Sequence, residues 1–308
     1  MKKALVTGAN GFIGSHLVRR LLDNNVEVIS VDMAGRNGHI PADSRFVPCD
    51  LAHPEALTDE LSGTSDIDAF YHLAWIGLTG DKRGNYEIQL ENARCAANAL
   101  LAARRLGCRS FIGIGSIMED ETAIAVDTNE HRPGIGYVYG AGKYAAKSIL
   151  KCMAADLGMN MIWAKITNTY GVGEISDRFI NTTIRKIING QSLEFTSAAQ
   201  NYDFIYIEDI AKALHLIGEK GIPFKTYMIS SGQARPLKEY ILRIRELLAP
   251  DAELHFGDVP FTGINLPLSV FSNSELVSDT GFSCDVPFDA GILKTYEFLK
   301  SVNSQGPQ

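Results

Sequence analysis

The 308-residue sequence predicts an α/β protein in which a doubly wound parallel sheet is followed by a smaller C-terminal lobe. Three observations predict this architecture. Short apolar runs such as KALVT and VEVISVD alternate with helical patterns, as in parallel sheets covered by helices on both faces. A glycine-rich turn joins the first apolar run to the first helical pattern. After about residue 167 the alternation loosens, which indicates a separate lobe.

The first part of the chain supplies most of the predicted sheet. Its further strand candidates are the runs RFVPCDL, DAFYHLAW, RSFIGIGS and MIWAKI. Its helix candidates are residues 12–22, 86–106 and 139–157. Later in the chain we expect helices at 178–188 and 237–248, a strand at TYMIS, and a mixed segment YDFIYIEDIAKALHLI.

These elements divide the chain into two predicted regions. The first is a Rossmann domain of residues 1–167, to which about 201–230 add core elements. The second is a substrate-binding lobe made of residues 168–200 and 231–308. The turn-rich segments 117–136 and 257–274 are predicted as functional or mobile loops because of their length. The tail NSQGPQ is predicted to be disordered.

The composition is that of an ordinary soluble globular protein. The chain has 29 basic and 36 acidic residues and is 45% hydrophobic. It has no long Lys/Arg-rich run, so nucleic acid is not an expected partner. No run reaches the roughly 18 apolar residues of a membrane helix. The five cysteines include no Cys-x-x-Cys pair, so we expect no disulfide framework, no metal site and a cytoplasmic location.

The segment LVTGANGFIGSHLVRRLL is typical of a dinucleotide-binding turn. Gly8, Gly11 and Gly14 lie between a predicted strand and an amphipathic helix that begins near Ile13. Glycines at this spacing permit a tight turn, close approach of the backbone to a pyrophosphate, and close packing of helix on strand. The helix N-terminus then faces the anion. A glycine triplet is a weak signal alone, but its position between strand and helix makes it specific.

A carboxylate at the end of the second strand selects the cofactor. Asp32 lies about twenty residues after the glycine turn, where it can accept hydrogen bonds from the adenosine ribose hydroxyls. This favours NAD. Arg36 follows closely and is either a solvated loop arginine or a partner for the 2′-phosphate of NADP, so NADP stays possible. Asp50 and Leu51, after the third strand, are predicted to border the adenine.

The segment YVYGAGK contains two tyrosines and one lysine. On a helix, Tyr139 and Lys143 share a face because they are four residues apart, whereas Tyr137 does not. The same Tyr-to-Lys spacing recurs at Tyr296, so the spacing alone proves little. Ser116, at the end of the preceding strand, distinguishes the first pair, because it lies at the sheet edge where a nicotinamide is expected.

These three groups predict acid–base chemistry coupled to hydride transfer. A phenol has a pKa near 10, and each unit by which that pKa falls requires about 1.4 kcal/mol of preferential phenolate stabilisation. The Lys143 ammonium and an oxidised nicotinamide would supply it. Ser116 would hold a substrate oxygen while Tyr139 exchanges a proton with it. The alternatives are a strand-end serine and a surface Tyr–Lys pair without catalytic roles.

The combined motifs resemble those of the extended short-chain dehydrogenases/reductases, especially the branch of nucleotide-sugar epimerases, dehydratases and 4-ketoreductases. GANGFIG resembles the family's glycine loop, YHLAW its His-Leu-Ala-Ala strand, and ENARCAAN its Asn-containing helix. YGAGK resembles its Tyr-x-x-x-Lys. KITNTYG and YDFIYIEDIAKAL resemble two segments further along the family's chain. The resemblance covers nearly the whole sequence.

The resemblance implies roles for individual residues. Ser116, Tyr139 and Lys143 are the expected catalytic residues. Asn168 and Tyr202 join Ser116 as expected contacts of a nucleotide-sugar substrate. The expected cofactor contacts also include Phe12, Ile13, Leu73, Ala74 and Asn92, together with Tyr139 and Lys143. The family also implies a homodimer through the helices at 86–106 and 139–157.

Two departures limit the resemblance. The family's dehydratases carry Asp-Glu directly after the catalytic serine or threonine, whereas Ile117 and Met118 stand here and transfer no proton, which disfavours 4,6-dehydration. Glu119, one place further along, is either a group that transfers the proton or a solvated side chain, and the acidic run around it favours the second. Tyr202 replaces an arginine that grips the substrate diphosphate. The cations considered as replacements are Arg178, Arg185, Lys225 and Arg235.

The leading hypothesis is therefore an enzyme that moves a hydride at a nucleotide-sugar carbon, C4 above all. An epimerase and a 4-ketoreductase would use the same residues and differ in whether the cofactor is regenerated within one turnover. A non-catalytic dinucleotide-sensing protein on the same fold is the alternative. It would need no catalytic tyrosine, so Ser116, Tyr139 and Lys143 argue against it.

Overall fold

A computed structural model describes residues 1–129 and 132–303, which form two compact units. The first unit contains Met1–Ile166, Ile210–Ile229 and Ser274–Phe282. The second contains Thr167–Asp209, Ser230–Asn273 and the chain from Ser283 onward. Of the predicted disordered tail, only Asn303 falls within the described residues.

The elements are numbered in chain order. The strands are β1 (Lys3–Thr7), β2 (Glu27–Asp32), β3 (Arg45–Pro48), β4 (Ala69–His72), β5 (Ser110–Ser116), β6 (Asn160–Ile166), β7 (Asn168–Tyr170), β8 (Leu193–Phe195), β9 (Asn201–Tyr202), β10 (Phe204–Tyr206), β11 (Thr226–Ile229), β12 (Arg235–Pro236) and β13 (Leu254–Phe256). The helices are α1 (Phe12–Asp23), α2 (Glu55–Glu60), α3 (Tyr86–Arg105), α4 (Met118–Asp127), α5 (Val138–Asp156), α6 (Phe179–Ile188), α7 (Ile207–Lys220), α8 (Leu237–Leu248), α9 (Ser274–Thr280) and α10 (Phe288–Asn303). Short 3₁₀ turns cover Asp81–Gly84, Ile135–Tyr137 and Leu268–Phe271.

The first unit is built on a seven-stranded parallel sheet of order β11-β6-β5-β4-β1-β2-β3. Its strands read as continuous apolar runs because helices cover both faces of such sheets. The core packs β-strand residues such as Leu5 and Phe111 against Ala96 of α3 and Leu150 of α5. The prediction of a Rossmann doubly wound sheet is confirmed.

The direction of chain winding reverses beside β1. This strand pairs with β2 on one side and with β4 on the other. The carboxyl ends of β1 and β4 are therefore neighbours, with Thr7 opposite His72. Ligands of doubly wound sheets bind outside the strand ends at such a reversal. The loops that follow β1 and β4 are thus placed to form a site.

The second unit contains three small strand pairs. β7 pairs with β10 and β8 with β13 in parallel, and β9 pairs with β12 in the antiparallel sense. An aromatic cluster holds the unit together: the ring of Phe204 lies 4.9 Å from that of Tyr240, which lies 4.9 Å from Phe288. Such edge-to-face pairs add about 0.5–1.5 kcal/mol each beyond their buried area.

The structure differs from the predicted boundaries at two places. Residues 201–209 belong to the second unit because β9 and β10 pair there with β12 and β7. The segment Ser274–Phe282 belongs to the first unit, where Asp279 of α9 pairs with Lys225 at 2.6 Å. Lys225 was considered a lobe cation, but it lies in the first unit.

The segment 117–136, predicted as a loop, contains the helix α4. Its sequence MEDETAIAVD is rich in good helix formers. Glu119, Asp120 and Glu121 fall in the first turn, where negative charge is favoured by the helix dipole. The prediction of a loop missed this helix because its buried positions, Glu119, Thr122 and Ala125, form only a weak apolar pattern. In the described ranges, no helix combines the length and the apolar character needed to cross a bilayer.

Candidate active site

The glycine turn after β1 is closely packed against the loop after β4. Gly8 has φ +71°, and a Cβ there would lie 2.7 Å from the backbone nitrogen of Ala74. A Cβ on Gly14 would collide with the carbonyl oxygen of Gly8. Gly11 donates to that same carbonyl at 3.0 Å and forms the N-cap of α1. A side chain at Gly8 or Gly14 would therefore collide with the backbone, and the turn is shaped for backbone contact with a ligand.

Asp32 is held against the same turn. Its Oδ2 accepts from the backbone N–H of Asn10 at 3.0 Å, and its Oδ1 accepts from that of Met33 at 2.8 Å. The carboxylate is thus fixed beside the glycine turn at the end of β2. Each oxygen keeps a second lone pair, which fits the paired hydroxyls of an adenosine ribose. The described geometry of the turn and of Asp32 therefore fits a dinucleotide.

The residues after β3 continue this edge. The N–H of Cys49 donates to the carbonyl of Asp32 at 2.9 Å, which brings Asp50 and Leu51 to the same strand ends. Asp50 is exposed and closes a turn by accepting from Ala52 N at 2.9 Å. Leu51 is buried in the core. Arg36 is exposed on the loop after β2. Contact of Asp50 and Leu51 with an adenine stays a prediction.

Asn92 of α3 fastens the loop after β4. Its Oδ1 accepts from Ile76 N at 2.9 Å, and its Nδ2 donates to Ile76 O at 2.7 Å. These two hydrogen bonds to one residue fix the backbone that follows Leu73 and Ala74. Contact of Asn92, Leu73 and Ala74 with the cofactor stays a prediction. Phe12 and Ile13 form the first turn of α1 next to the glycines.

Ser116, Tyr139 and Lys143 all lie in the first unit, at the end of β5 and the start of α5. The start of α5 packs closely on α4, because a Cβ on Gly140 would collide with Met118 O. The Oγ of Ser116 accepts from Met118 N at 3.2 Å, so its own proton stays available for a substrate oxygen. The structure leaves Tyr137 in the short turn before α5, where its carbonyl accepts from Thr122.

Lys143 is buried and reaches back to the sheet. Its Nζ donates to Ile114 O at 2.8 Å. Burial lowers the pKa of this ammonium to about 7, while the negative charge of Glu119 raises it. His72 is also buried, and burial together with Lys143 lowers its pKa to about 3. His72 is therefore neutral at physiological pH and accepts or donates one hydrogen bond with Thr7 Oγ1 at 3.0 Å.

The structure adds two residues that the sequence did not identify. The indole of Trp75 lies 3.6 Å from Lys143 Nζ and meets the ring of Tyr139 edge-on at 6.4 Å. The guanidinium of Arg83 lies 5.2 Å from the centre of the Tyr139 ring. Trp75 occupies the position of the second alanine in the His-Leu-Ala-Ala motif that YHLAW resembles, and this departure from the motif is a sequence signal that could have identified it. No pattern in the sequence pointed to Arg83.

The sequence predicted a solvated Glu119 side chain, but the structure shows that it is buried. Its side chain is 1% exposed and lies between α4 and the sheet. It accepts from Ser116 N at 2.9 Å and from Trp163 Nε1 at 3.0 Å, and it pairs with Lys147 at 2.9 Å. Buried carboxylates are retained only when they are paired and hydrogen-bonded. The weak periodicity of α4 concealed this orientation.

Two of the predicted substrate contacts lie in the second unit. Asn168 begins β7, and its Nδ2 donates at 3.1 Å to the carbonyl of Asp203, the residue just before β10. Asp203 itself is buried and accepts from Thr167 Oγ1 at 2.6 Å. These contacts hold the start of the unit together. Substrate binding by Asn168 stays a prediction.

Tyr202 of β9 stands directly opposite Arg235 of β12. Its ring stacks on Phe204 at 5.7 Å, and the Arg235 guanidinium lies 4.2 Å from the neighbouring ring of Tyr240. The other cations considered form ion pairs: Arg178 with Glu174, Arg185 with Asp177, and Lys225 with Asp279. Arg235 is thus the candidate cation that strand pairing brings to Tyr202.

Comparisons with known proteins give a family and no single reaction. A dTDP-glucose 4,6-dehydratase from Escherichia coli is 27% identical over 338 residues, covering 95% of this chain and 92% of that protein. A CDP-abequose synthase from Salmonella typhimurium is 25% identical over 288 residues, covering 88% and 90%. The structure of a UDP-N-acetylglucosamine 4-epimerase from Methanobrevibacter ruminantium matches with a TM-score of 0.81 at 22% identity, covering 98% of this chain and 99% of that one.

The family model described as the NAD dependent epimerase/dehydratase family matches residues 4–230. The match includes the glycine turn, Asp32 and the segment from Ser116 to Lys143. The prediction of NAD as cofactor is confirmed by this match. The resemblance drawn from the motifs is confirmed as well, and the chain belongs to the NAD dependent epimerase/dehydratase family of extended short-chain dehydrogenases/reductases.

Proposed function

We propose that this protein is a nucleotide-sugar 4-epimerase or 4-ketoreductase in which Tyr139 is the acid–base group. The supporting observations are that Lys143 Nζ donates to Ile114 O on β5, the strand that ends at Ser116, and that Trp75 contacts both Lys143 and the ring of Tyr139. Bound NAD supplies the acceptor or donor of hydride in this chemistry. The protein's task is to position the sugar and to move one proton.

Each residue of the group has a distinct part. Ser116 donates a hydrogen bond from its hydroxyl to the oxygen of the sugar carbon and keeps its proton, because its Oγ already accepts from Met118 N. Tyr139 takes the proton when that oxygen becomes a carbonyl and returns it in the reverse direction. Charged Lys143 favours the phenolate form of Tyr139. Arg83, over the ring of Tyr139, adds a second positive charge.

Dehydration at C5 and C6 needs a further acid and base. Ile117 is buried and Met118 begins α4, and neither transfers a proton. The nearest carboxylate along the chain is Glu119, whose oxygens are held by Ser116 N, Trp163 and Lys147. This arrangement supports transfer at C4 without elimination of water.

We also propose that two copies associate through α3 and α5. These helices pack closely, because a Cβ on Gly142 would lie 2.9 Å from Gln89 Cβ. Leu90 is 61% exposed on α3, and Tyr144 is 50% exposed on α5. Apolar side chains exposed together on neighbouring helices favour association with a like surface. We further propose that the protein acts in the cytoplasm, with no nucleic-acid or membrane partner.

The test is to denature freshly purified protein and quantify the released nucleotide by mass spectrometry. Near-stoichiometric NAD is expected for an epimerase, which regenerates its cofactor in each turnover. Protein that is purified empty and binds added NADH or NADPH would identify the reductase instead. Incubation with UDP- and dTDP-hexoses, and with their 4-keto derivatives together with NADH or NADPH, then decides the reaction. A C4 epimer from a hexose, or a 4-alcohol from a 4-keto sugar with oxidation of the reduced cofactor, supports the proposal, and a 4-keto-6-deoxy product from a hexose would overturn it.

A further inference from the structure

Glu119 occupies a site that β5 and β6 are shaped to hold. A Cβ on Gly115 would collide with both Glu119 Oε1 and the Trp163 indole nitrogen, and a Cβ on Gly113 would collide with the Trp163 ring. The two glycines of FIGIGS therefore leave space for an indole and a carboxylate beside the sheet. Trp163 Nε1 donates to both carboxylate oxygens, at 3.0 and 3.2 Å.

The carboxylate is enclosed by donors and by one full charge. Ser116 N donates to its Oε1 at 2.9 Å, and Lys147 Nζ lies 2.9 Å from its Oε2. Lys147 lies one helical turn after Lys143 on α5. Lys143 Nζ in turn donates to Ile114 O, two residues before Ser116 on the same strand. Glu119 and Lys143 are therefore anchored to neighbouring points of β5.

Groups from several elements surround Lys143 and the ring of Tyr139. β4 contributes His72, whose pKa of about 3 keeps it neutral. The loop after β4 contributes the uncharged face of Trp75, which is bonded to Gln89 of α3. Other titratable or charged groups near Lys143 and the Tyr139 ring include Tyr139 and Lys147 on α5, Glu119 on α4 and Arg83, whose charge also acts on the buried Glu121 of α4.

We propose that Glu119 is a positioning residue of the active site, whose buried carboxylate keeps Lys143 positively charged so that Lys143 stabilises the Tyr139 phenolate. Lys147 neutralises part of the carboxylate and thereby limits this effect. The inference rests on the proposed function for its catalytic meaning, but the charge relationship itself needs no substrate. The neighbouring Asp120 offers a matched control. It lies on the same helix as Glu119, but it forms an ion pair with Lys165 of β6 at 2.6 Å and makes no hydrogen bond to Ser116.

The experiment is an NMR titration of lysine labelled with ¹³C at Cε in the full-length protein, with the Lys143 signal assigned by Lys143→Met. The wild-type midpoint is expected near the value of about 7 that burial imposes. Glu119→Gln should lower this midpoint by roughly one unit, the size expected for a charge at this range in a partly polar interior. Lys147→Gln should raise it, because a positive neighbour is lost. Asp120→Asn should leave it within about 0.3 units.

The Lys143 midpoint should fall in Glu119→Gln and rise in Lys147→Gln, and these opposite shifts make the outcome decisive. An unchanged midpoint in Glu119→Gln, or shifts of the same sign in both variants, would overturn the inference. If Glu119→Gln fails to fold, the double variant Glu119→Gln/Lys147→Gln removes the whole ion pair, and its Lys143 midpoint should lie below that of Lys147→Gln alone; an equal midpoint would overturn the inference. If the midpoints move as expected in a protein that converts no nucleotide sugar, the proposed function fails while the charge relationship stands. In the active enzyme, Glu119→Gln should also move the alkaline limb of the kcat/KM profile to lower pH.

Discussion

The ammonium of Lys143 lies 3.6 Å from the centre of the Trp75 indole ring. The ring is fixed by a hydrogen bond from its Nε1 to Gln89 Oε1 at 2.8 Å, and its edge faces Tyr139. A cation over an indole face is stabilised by about 0.5–2 kcal/mol, depending on desolvation. Trp75 therefore offsets part of the cost of burying a charge next to the candidate acid–base group.

Replacing Trp75 should weaken the enzyme without unfolding it. Trp75→Ala is expected to lower kcat/KM by about 2- to 30-fold, which corresponds to the free energy of about 0.5–2 kcal/mol of a partly buried cation–π contact. Trp75→Phe keeps an aromatic face and should lose less. The measurement is steady-state kinetics with thermal denaturation as a check on folding. Full activity in Trp75→Ala would show that the contact is incidental.

Tyr139→Phe should abolish turnover while NAD binding survives. The phenol carries the proton, whereas the glycine turn and Asp32 hold the cofactor. Loss of a general acid–base group typically costs about 10²- to 10⁴-fold in kcat. Tyr137→Phe is the control, because Tyr137 precedes α5 and engages Thr122 through its backbone carbonyl. Comparable activity in the two variants would contradict the assignment of Tyr139.

Lys143 should reduce the stability of the protein at neutral and acid pH. Burial lowers its pKa from 10.5 to about 7, so the unfolded chain binds the proton more tightly than the folded protein. The resulting destabilisation is fully present below about pH 7 and is relieved as the pH rises toward 10.5. Lys143→Met should therefore gain stability relative to wild type, and the gain should shrink by about 2 to 3 kcal/mol between about pH 6 and pH 9.

Urea unfolding of both proteins at the two pH values measures this gain. The difference between the two proteins cancels the other titrating groups. A gain that does not change with pH would show that Lys143 stays charged in the folded protein throughout this range.

The glycine turn tolerates no side chain at Gly14. A Cβ there would meet the carbonyl of Gly8, which is part of the backbone and has no room to shift away. Gly14→Ala is expected to cost at least about 3 kcal/mol and to abolish NAD binding. Gly38 faces open space and has no left-handed φ, so Gly38→Ala should stay within about 0.5 kcal/mol of wild type. Calorimetric unfolding and NAD titration of both variants make the comparison.

Association through α3 and α5 predicts sensitivity to charge on that surface. Leu90→Glu and Tyr144→Glu should convert a dimer into monomers in sedimentation velocity, because each would place a charge inside an apolar interface. Ile175→Glu is a matched control, since Ile175 is 61% exposed in the second unit. Dimers that persist in both α3 and α5 variants would place the interface elsewhere.

The sequence by itself determined the sheet, the cofactor turn and the Tyr–Lys pair. These features depend on local requirements: apolar runs form buried strands, a left-handed φ at Gly8 needs glycine, and residues four apart share a helical face. α8 was predicted at the same residues, Leu237–Leu248, at which it is found. The family model of NAD dependent epimerases and dehydratases matches residues 4–230, which contain all three features.

Only the tertiary structure decided the burial of Glu119, the position of Trp75 over Lys143 and the pairing of Tyr202 with Arg235. Each depends on segments far apart in the chain, such as α4 against β6 or β9 against β12. An acidic run has the same local pattern whether its carboxylates face water or a buried indole and lysine. The free energy that chooses between those orientations comes from partners on other elements, which no local pattern contains.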